Sequence, residues 1–355
     1  MGADTIDKVL MTGNEAMAEA GIRAGCRAYF GYPITPQNEL LEYMSAHMPQ
    51  AGGAFIQAES EIAAINMCYG ASAAGVRTMT SSSSPGISLK MEGISYIAGA
   101  DLPCVIVNVV RGGPGLGNIA PAQGDYFQAT KGGGHGDYRM IVLGPSTIPE
   151  ATEHVMLAFE LADKYRGPVM ILADGMLGQM MEPVVLPKPV DPATLPAKPW
   201  ALTGAKGREP NIVTSFYLDP EELNMMDVKR ESRYRQIEEQ EVRYEEHETA
   251  DATVVIAAYG SVARIARTVV KMARGEGIKL GLLRPISLWP FPYAPLRAIA
   301  DRVDAILTVE MNAGQMVEDV RLAVAERAQT PFYGVLGGLV PTPKDILREV
   351  KRYAG

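Results

Sequence analysis

The chain has 355 residues, 47% of them hydrophobic and 21% charged, and a net charge of −8. The length exceeds the ~100–200 residues typical of one domain, and the composition is that of an ordinary globular protein, so two domains are expected. No dense run of Lys or Arg occurs, which argues against a nucleic-acid partner. The N-terminal segment MGADTIDKVL lacks a secretory signal pattern and no apolar run approaches the ~18 residues of a membrane span, so we expect a cytoplasmic protein.

The first stretch, residues 1–181, alternates short apolar runs with segments of helical length. Residues 103–110 and 168–173 are continuous apolar runs rich in Val and Ile, as in parallel strands covered on both faces. Residues 60–74 and 149–165 have the length and alanine content of helices. This alternation predicts an α/β fold.

Residues 182–251 form a connector of different texture. The part from 182 to 210 contains seven prolines, which are incompatible with a helix or a central strand. Residues 219–251 then carry twelve acidic and five basic side chains. Two interpretations of this charged segment stay open, a solvated helix or a helix that reaches a neighbouring chain.

Residues 252–355 return to the α/β rhythm. Apolar runs that begin at Ala252, Lys279 and Asp304 are typical of strands, and residues 261–274 are typical of an amphipathic helix. We therefore predict a compact domain with a parallel, three-stranded centre.

The three cysteines, Cys26, Cys68 and Cys104, lie 42 and 36 residues apart. These spacings match no zinc or iron–sulfur ligand pattern, and the neighbours are small or apolar, so we predict buried, reduced thiols. Because the four histidines are scattered along the chain, a metal site built by this chain is not expected.

Two segments of the first stretch carry residues suited to chemistry. The loop GYPITP at 31–36 presents the hydroxyl of Thr35 between two prolines that fix the backbone. Glu59 and Glu61 stand at the start of a predicted helix, whose small residues would let a ligand approach the backbone. A plain turn, and glutamates favoured by the helix dipole, are the structural alternatives.

A third candidate segment is residues 105–118, VIVNVVRGGPGLGN, where a buried strand ends in Arg111 and a glycine-rich loop. Such strand ends are where α/β folds place ligands. A dinucleotide fingerprint is disfavoured, because Asn118 occupies the position of the third glycine and no apolar helix pattern follows. Asp174 and Gly175, at another strand end, are interpreted as structural.

Taken together, GYPITP, the helix of Glu61, the strand end at Arg111 and QGDYFQA at 123–129 resemble the α-type subunit of the pyruvate and 2-oxoacid:ferredoxin oxidoreductase family. In the last stretch, residues 282–292 and 308–316 resemble the transketolase-C-terminal-like unit of that family. The resemblance therefore covers nearly the whole chain.

The resemblance implies an α/β thiamine-diphosphate-binding fold. A pyrimidine-type domain, with a parallel sheet and helices on both faces, would occupy residues 1–181. A proline-rich connector and charged helix would follow at 182–251, and a transketolase-C-terminal-like domain at 252–355.

The resemblance also implies a cofactor-binding role for Glu61, with Glu59 ranked second. In the family, a glutamate on the helix after the YPITP loop contacts N1′ of the thiamine pyrimidine, and Tyr32 and Pro33 would adjoin the cofactor. A carboxylic acid at N1′ makes the neighbouring amino group basic enough to activate the cofactor. Glu61 is thus a predicted catalytic residue.

Thr35 and Arg111 are implied to lie beside the 2-oxoacid as catalytic and substrate-binding residues. The planar fork of an arginine can bind both oxygens of a carboxylate, and the Thr35 hydroxyl can hydrogen-bond the ketone. A structural salt bridge is the alternative for Arg111.

The remaining parts of the enzyme are implied to come from partner chains. A β-type subunit would hold the cofactor diphosphate, Mg²⁺ and [4Fe-4S] clusters, and separate γ-type and ferredoxin-like subunits would complete the complex. Coenzyme A would be the co-substrate and ferredoxin the electron acceptor. The motifs look closest to members for 2-oxoisovalerate and 2-oxoglutarate, and the branched-chain substrate is favoured.

Three alternative functions remain open at this stage. The first is the β-type chain of a 2-oxoacid dehydrogenase E1 component, which would pass the acyl group to lipoate. The second is a non-catalytic scaffold subunit. The third, an NAD-binding dehydrogenase, is disfavoured by the broken glycine pattern.

Overall fold

The computed structural model describes residues 8–354. Residues 1–7, which hold most of the N-terminal segment considered for a secretory signal, and residue 355 lie outside the described residues. The strands of the described part are, in chain order, β1 Val9–Thr12, β2 Ala28–Gly31, β3 Ala54–Gln57, β4 Thr78–Ser82, β5 Cys104–Val110, β6 Ile141–Leu143, β7 Pro168–Asp174, β8 Met181–Val184, β9 Tyr244–His247, β10 Val254–Ala257, β11 Leu280–Pro285, β12 Ser287–Trp289, β13 Ala305–Glu310 and β14 Phe332–Gly334.

The helices of the same part are α1 Gly13–Arg23, α2 Asn38–His47, α3 Glu61–Ala73, α4 Pro85–Gly99, α5 Tyr126–Thr130, α6 Ile148–Tyr165, α7 Gly175–Gln179, α8 Pro220–Gln240, α9 Gly260–Gly275, α10 Tyr293–Ala300, α11 Met316–Val324 and α12 Pro343–Val350. The helices predicted at 60–74, 149–165 and 261–274 correspond to α3, α6 and α9.

The larger sheet has seven strands in the order β12-β6-β7-β5-β4-β2-β3. Every neighbouring pair is parallel except β12 with β6. All residues of β5 and β7, the strands predicted at 103–110 and 168–173, are buried. Both faces of the sheet are therefore covered, as a buried parallel sheet requires.

The second sheet has five strands in the order β14-β13-β10-β11-β9. Its parallel centre, β13-β10-β11, is the predicted one, and β14 extends it in the parallel sense. At its other edge, β9 pairs with β11 in the antiparallel sense.

The prediction of a continuous charged helix over 219–251 was wrong at β9. The helix, α8, ends at Gln240, and the chain then forms the strand. Glu245 of β9 lies opposite Arg284 of β11, and a salt bridge of 3.1 Å joins their side chains. This cross-strand pairing overrides the local helical preference.

Helix α8 packs on its own chain along one narrow face. Arg230, Tyr234 and Ile237 are buried, and Nη1 of Arg230 donates a hydrogen bond of 3.1 Å to the carbonyl of Gly99. Most of the other α8 residues are polar and exposed. Within this chain most of the surface of α8 is uncovered, so the solvated helix and the helix that reaches a neighbouring chain both stay predictions.

Several contacts join the last stretch of the chain to the first, among them the pairing of β12 and the hydrogen bonds of Gln123. Strand β12 pairs with β6 and so completes the larger sheet. The buried side chain of Gln123 donates through Nε2 to the carbonyl of Tyr259 (3.0 Å) and accepts at Oε1 from the backbone N–H of Met311 (3.0 Å). QGDYFQA thus contributes to the junction between the two sheets.

Cys26, Cys68 and Cys104 are buried free thiols, as predicted. Burial raises the pKa of Cys26 to about 12, so its thiol is unreactive at neutral pH. Among residues 8–354, no helix combines the length and apolar character needed to cross a membrane.

Candidate active site

The predicted site residues lie near the carboxyl ends of β2, β4 and β5. The loop 31–37 follows β2, a serine-rich turn follows β4, and Arg111 follows β5 directly. The amino-terminal ends of α3 and α4 face the same edge, because Gly86 of α4 lies against the side chain of Glu61. Loops and helix N-termini at this edge of a parallel sheet form the usual ligand site of an α/β fold.

Arg111 and Thr35 are in direct contact. Nη1 of Arg111 donates to the carbonyl of Thr35 (2.9 Å), and Nη2 donates to the carbonyl of Leu116 (3.2 Å). The Arg111 guanidinium has five N–H groups, and these two bonds leave three of them free. One of the three, on Nε, is buried and has no partner within residues 8–354. The arginine is therefore fixed in place and still able to bind an anion.

Thr35 keeps its hydroxyl proton available. Its Oγ1 accepts a hydrogen bond of 3.2 Å from Nδ2 of Asn38, while its carbonyl is the group that holds Arg111. A hydroxyl that already accepts one bond can still donate its own proton to an acceptor on a ligand.

Glu61 is the first residue of α3 and is only 5% exposed. Ser60 caps this helix, and its Oγ accepts from the N–H of Ala63 at 3.2 Å. Outside the helix ladder, the backbone carbonyl of Glu61 accepts a hydrogen bond from Nζ of Lys90, and this is the one such bond to a Glu61 oxygen within residues 8–354. Its carboxylate accepts none from these residues. Because the carboxylate keeps a small exposed surface and no partner from these residues, it is available to a ligand.

The neighbouring residue Gly86 makes room for this carboxylate. A methyl group built on Gly86 would lie 2.1 Å from Oγ of Ser82 and 2.6 Å from Oε1 of Glu61. Both distances are far below van der Waals contact. The position therefore excludes any side chain while Glu61 keeps this conformation.

The structure separates the two candidate glutamates. Glu59 is exposed and accepts a hydrogen bond of 3.1 Å from the Ser60 hydroxyl, whereas Glu61 is buried. Tyr32 is half-buried and its carbonyl accepts from Nε2 of Gln37 at 3.3 Å, and Pro33 is exposed on the same loop. The predicted cofactor roles of Tyr32 and Pro33 stay predictions.

A serine-rich turn between β4 and α4 completes this edge and was missed in the sequence analysis. The hydroxyls of Ser82 and Ser83 are fully buried and have no hydrogen-bond partner within residues 8–354. Ser84 links the turn to Arg111, because its Oγ accepts from the Arg111 N–H at 3.0 Å. The run of four serines before Pro85 was the signal available in the sequence.

Asn108 and Asp125 lie behind this turn and were not singled out as site residues either. Oδ1 of Asn108 accepts from the backbone N–H of Ser84 (3.2 Å), and its Nδ2 donates to Asp125 (2.9 Å). Burial raises the pKa of the Asp125 carboxyl, and its hydrogen bonds from Asn108 and Ser84 only partly offset this effect. These residues fix the turn from the side of β5.

The aspartate at the end of β7 is structural, as interpreted. Asp174 accepts from the backbone N–H groups of Met176 (2.9 Å) and Leu177 (3.1 Å) and thereby caps α7. Burial raises the pKa of its carboxyl, which also accepts a hydrogen bond from Ser261. Asp174 thus serves helix capping and contact between the two sheets.

Comparison with known protein families identifies the two parts of the chain. Residues 19–259 match the model described as pyruvate flavodoxin/ferredoxin oxidoreductase, thiamine diphosphate binding. Residues 252–346 match pyruvate:ferredoxin oxidoreductase core domain II.

Two relatives align over almost the whole chain. The ketoisovalerate oxidoreductase subunit VorB of Methanothermobacter thermautotrophicus is 51% identical, with 98% of each chain covered. The 2-oxoglutarate synthase subunit KorA of the same organism is 35% identical, with 97% of this chain and 98% of the relative covered.

Solved structures show the same fold. A 2-oxoglutarate:ferredoxin oxidoreductase from Magnetococcus marinus, solved with 2-oxoglutarate, coenzyme A and succinyl-CoA bound, superposes with a TM-score of 0.87 at 31% identity. The match covers 98% of this chain and 66% of that longer chain. A split-gene transketolase, an inactive β4 tetramer, matches with a TM-score of 0.58 at 16% identity over 97% of this chain and 98% of its own, and supports the fold alone.

The fold and the family match together define a thiamine-diphosphate-binding protein of the transketolase-like α/β class. More narrowly, the chain belongs to the pyruvate and 2-oxoacid:ferredoxin oxidoreductase family, as its motifs predicted. Its relatives are named as subunits of a ketoisovalerate oxidoreductase and of a 2-oxoglutarate synthase. This chain is likewise a subunit, of a thiamine-diphosphate-dependent 2-oxoacid:ferredoxin oxidoreductase.

Proposed function

We propose that this chain is the α-type subunit of an enzyme that oxidatively decarboxylates 2-oxoisovalerate, with coenzyme A as acyl acceptor and ferredoxin as electron acceptor. One observation carries the proposal. A buried Glu61 whose carboxylate accepts no hydrogen bond from residues 8–354 lies at the same sheet edge as the contact between Arg111 and Thr35. This arrangement leaves one carboxylate and one guanidinium for ligands.

The residues present fit the pyrimidine half of thiamine diphosphate. Glu61 would hold a proton against pyrimidine N1′, and the unpartnered hydroxyls of Ser82 and Ser83 would offer further hydrogen bonds at that edge. The bound cofactor supplies the carbon nucleophile for decarboxylation. We keep Tyr32 and Pro33 as neighbours of the cofactor on the same loop.

On the substrate side, Arg111 would bind the carboxylate of the 2-oxoacid. Its bonds to the carbonyls of Thr35 and Leu116 orient the guanidinium before substrate arrives, which lowers the entropic cost of binding. The Thr35 hydroxyl would donate to the ketone oxygen and stabilise negative charge that develops there.

The preference for a branched-chain substrate has two supports. The relatives named ketoisovalerate oxidoreductase subunit are 51% and 50% identical to this chain, against 33% to 37% for those named 2-oxoglutarate synthase subunit. In addition, the loops that flank Arg111, residues 31–37 and 112–123, contain no other basic residue. A second carboxylate, as in 2-oxoglutarate, would lack a counter-charge from these loops.

The other components follow from the family resemblance and are proposed on that basis. A β-type partner would supply the diphosphate and Mg²⁺ site and the [4Fe-4S] clusters, and γ-type and ferredoxin-like subunits would complete a cytoplasmic complex. We also keep the division of the chain at residues 182 and 252 as a proposal. The boundary at 252 is supported by the two family matches, which overlap only between residues 252 and 259, and the boundary at 182 by the proline content of the segment that follows it.

The test is a panel of 2-oxoacids on the complex purified with its partner subunits, with reduction of methyl viologen as the readout. We expect CoA-dependent reduction with 2-oxoisovalerate at a kcat/KM at least ~10-fold above that with 2-oxoglutarate. Arg111→Lys should raise KM for the preferred substrate ~10-fold, because an ammonium cannot replace the fork.

Three other outcomes would contradict parts of the proposal. A preference for 2-oxoglutarate would refute the substrate assignment alone. Acyl transfer to lipoate without viologen reduction would indicate an E1 component, and a complex without 2-oxoacid turnover would indicate a scaffold.

A further inference from the structure

Lys90 of α4 is completely buried, with 0% of its surface exposed. Lysine is rarely buried unless it is paired with a carboxylate. Within residues 8–354, no acidic side chain forms a salt bridge with Lys90. A lysine in this environment requires an explanation other than an ordinary ion pair.

The contacts of Lys90 join two parts of the active site. Its Nζ lies 3.1 Å from Oγ1 of Thr80 and 3.5 Å from the carbonyl of Glu61. The Thr80 hydroxyl in turn donates to the carbonyl of Phe30 at 2.7 Å. A chain of hydrogen bonds thus runs from the first turn of α3, through β4, to the strand that leads into the GYPITP loop.

Lys90 stands between two glycines on the face of α4 that packs against α3. Gly86, one turn before it, adjoins the carboxylate of Glu61, and a methyl group on Gly93 would lie 2.4 Å from Cγ2 of Ile65. Residues 86, 90 and 93 share one helix face, as do 61 and 65 of α3. This packing places Lys90 against the first turn of α3, which carries Glu61.

The electrostatic surroundings of Lys90 are also set by this packing. Burial lowers the pKa of Lys90 to about 8, while Cys68, Glu61 and Cys104 oppose the shift. These groups face it from α3 and β5, and Thr80 faces it from β4. The charge state of Lys90 therefore changes near neutral pH, within reach of Glu61.

We propose that Lys90 is a positioning residue for Glu61, which holds the first turn of α3 against β4 so that the carboxyl group stays at the cofactor edge. The inference rests on the proposed function of Glu61. Lys90 does not touch the cofactor or the substrate in this role, but acts through the backbone and the electrostatic environment of Glu61.

The test compares the pH dependence of kcat in the complete complex for the wild type, Lys90→Met and Lys90→Gln. We expect Lys90→Met to lower kcat ~10-fold and to leave KM for the 2-oxoacid within about twofold, because positioning affects turnover more than substrate binding. Lys90→Gln keeps a donor for the Glu61 carbonyl and should recover part of kcat. Both variants should lack the bend near pH 8 expected in the wild-type profile.

Ile94→Ala is the matched control, because Ile94 is also fully buried on α4 and its truncation weakens the core. If Ile94→Ala and Lys90→Met lower kcat equally at an equal fall in Tm, Lys90 contributes to core packing alone and the inference is wrong.

The failure of this inference and that of the proposed function have different signatures. If the wild type shows no 2-oxoacid-dependent viologen reduction, or Glu61→Gln retains it, the proposed function fails. If both behave as expected and Lys90→Met matches the wild type in kcat and pH profile, only the role of Lys90 fails.

Discussion

Two regions of the chain, the first up to residue 181 and the second from residue 252, each hold a buried carboxylate at the edge of a parallel sheet. These are Glu61 in the first region and Glu310 in the second. Glu310, at the end of β13, accepts hydrogen bonds from the N–H groups of Gln315 (3.2 Å), Met316 (2.9 Å) and Val317 (3.0 Å), and from Nδ2 of Asn312 (2.7 Å). Glu61, which is 5% exposed against 0% for Glu310, accepts none at its carboxylate from residues 8–354.

The difference distinguishes a structural carboxylate from one suited to a ligand. Glu310 caps α11 and satisfies its own buried oxygens, although burial still raises the pKa of its carboxyl. Glu61 receives no hydrogen bond at its carboxylate from residues 8–354. The buried Ser82 and Ser83 hydroxyls and Nε of Arg111 at the same edge also lack partners there, and because each such group costs ~1–3 kcal/mol, the first region gives up stability that a bound ligand can restore.

The largest effect expected from this comparison is on turnover. Glu61→Gln in the assembled complex should lower kcat at least ~100-fold, because an amide cannot exchange a proton with a pyrimidine nitrogen. Its Tm should stay within ~2 °C of the wild type, since no hydrogen bond within the chain is lost. Steady-state viologen reduction and calorimetry measure the two quantities. Retention of more than ~10% of turnover would remove Glu61 from the mechanism.

Substitution of Glu310, the counterpart in the second region, should lower stability and leave turnover nearly unchanged. Glu310→Gln places an NH₂ group among backbone donors, so we expect a loss of ~2–4 kcal/mol in the free energy of unfolding. The folded fraction should keep nearly wild-type turnover. Urea unfolding and activity per folded enzyme check this prediction. Unchanged stability would mean that the hydrogen bonds to the Glu310 carboxylate contribute nothing to the free energy of unfolding.

A pair of glycines sharpens the comparison within the first region. Gly86→Ala should lower turnover ~10-fold, because its methyl group would displace the carboxylate of Glu61. Gly70→Ala on α3 is the control, since a methyl group there meets no atom within 4 Å. The control should stabilise the helix by ~0.5–1 kcal/mol and leave turnover unchanged. Equal effects of the two substitutions on kcat would argue against steric control at Gly86.

The last prediction concerns pH and a buried histidine of the first region. His154 is buried on α6, 3.5 Å from Glu150, and burial lowers its pKa from 6.5 to about 4 despite that carboxylate. As pH falls through this window the unfolded chain binds a proton before the folded chain does, so stability should decrease by up to ~3 kcal/mol and then level off. Urea midpoints between about pH 7 and about pH 4 should decline less in His154→Gln; parallel declines would assign the pH dependence to other groups.

Much of the fold was predictable because the patterns that define it are local. The apolar runs of β5 and β7 and the helical segments of α3, α6 and α9 form the predicted elements. Strand β9 was not predictable in this way. Its sequence, YEEH, is polar, and it becomes a strand through antiparallel pairing with β11, which lies more than thirty residues further along the chain.

The residues of the candidate site also fall into those that a local motif reveals and those that only the fold reveals. Thr35, Glu61 and Arg111 could be selected because each stands in a short motif. Ser82, Ser83 and Lys90 were not selected, because the run of serines before Pro85 is a weak signal and a lysine within a helix is ordinary in sequence. Their significance comes from complete burial and from the neighbours that α3 and β4 bring to them.

The amino-acid sequence by itself determined the α/β rhythm, the motif residues and the family, since these depend on short-range spacing and residue type. Only the tertiary structure decided which buried carboxylate is satisfied and which is left for a ligand. The physical reason is that hydrogen-bond saturation depends on donors from distant parts of the chain, and only packing brings those donors within reach.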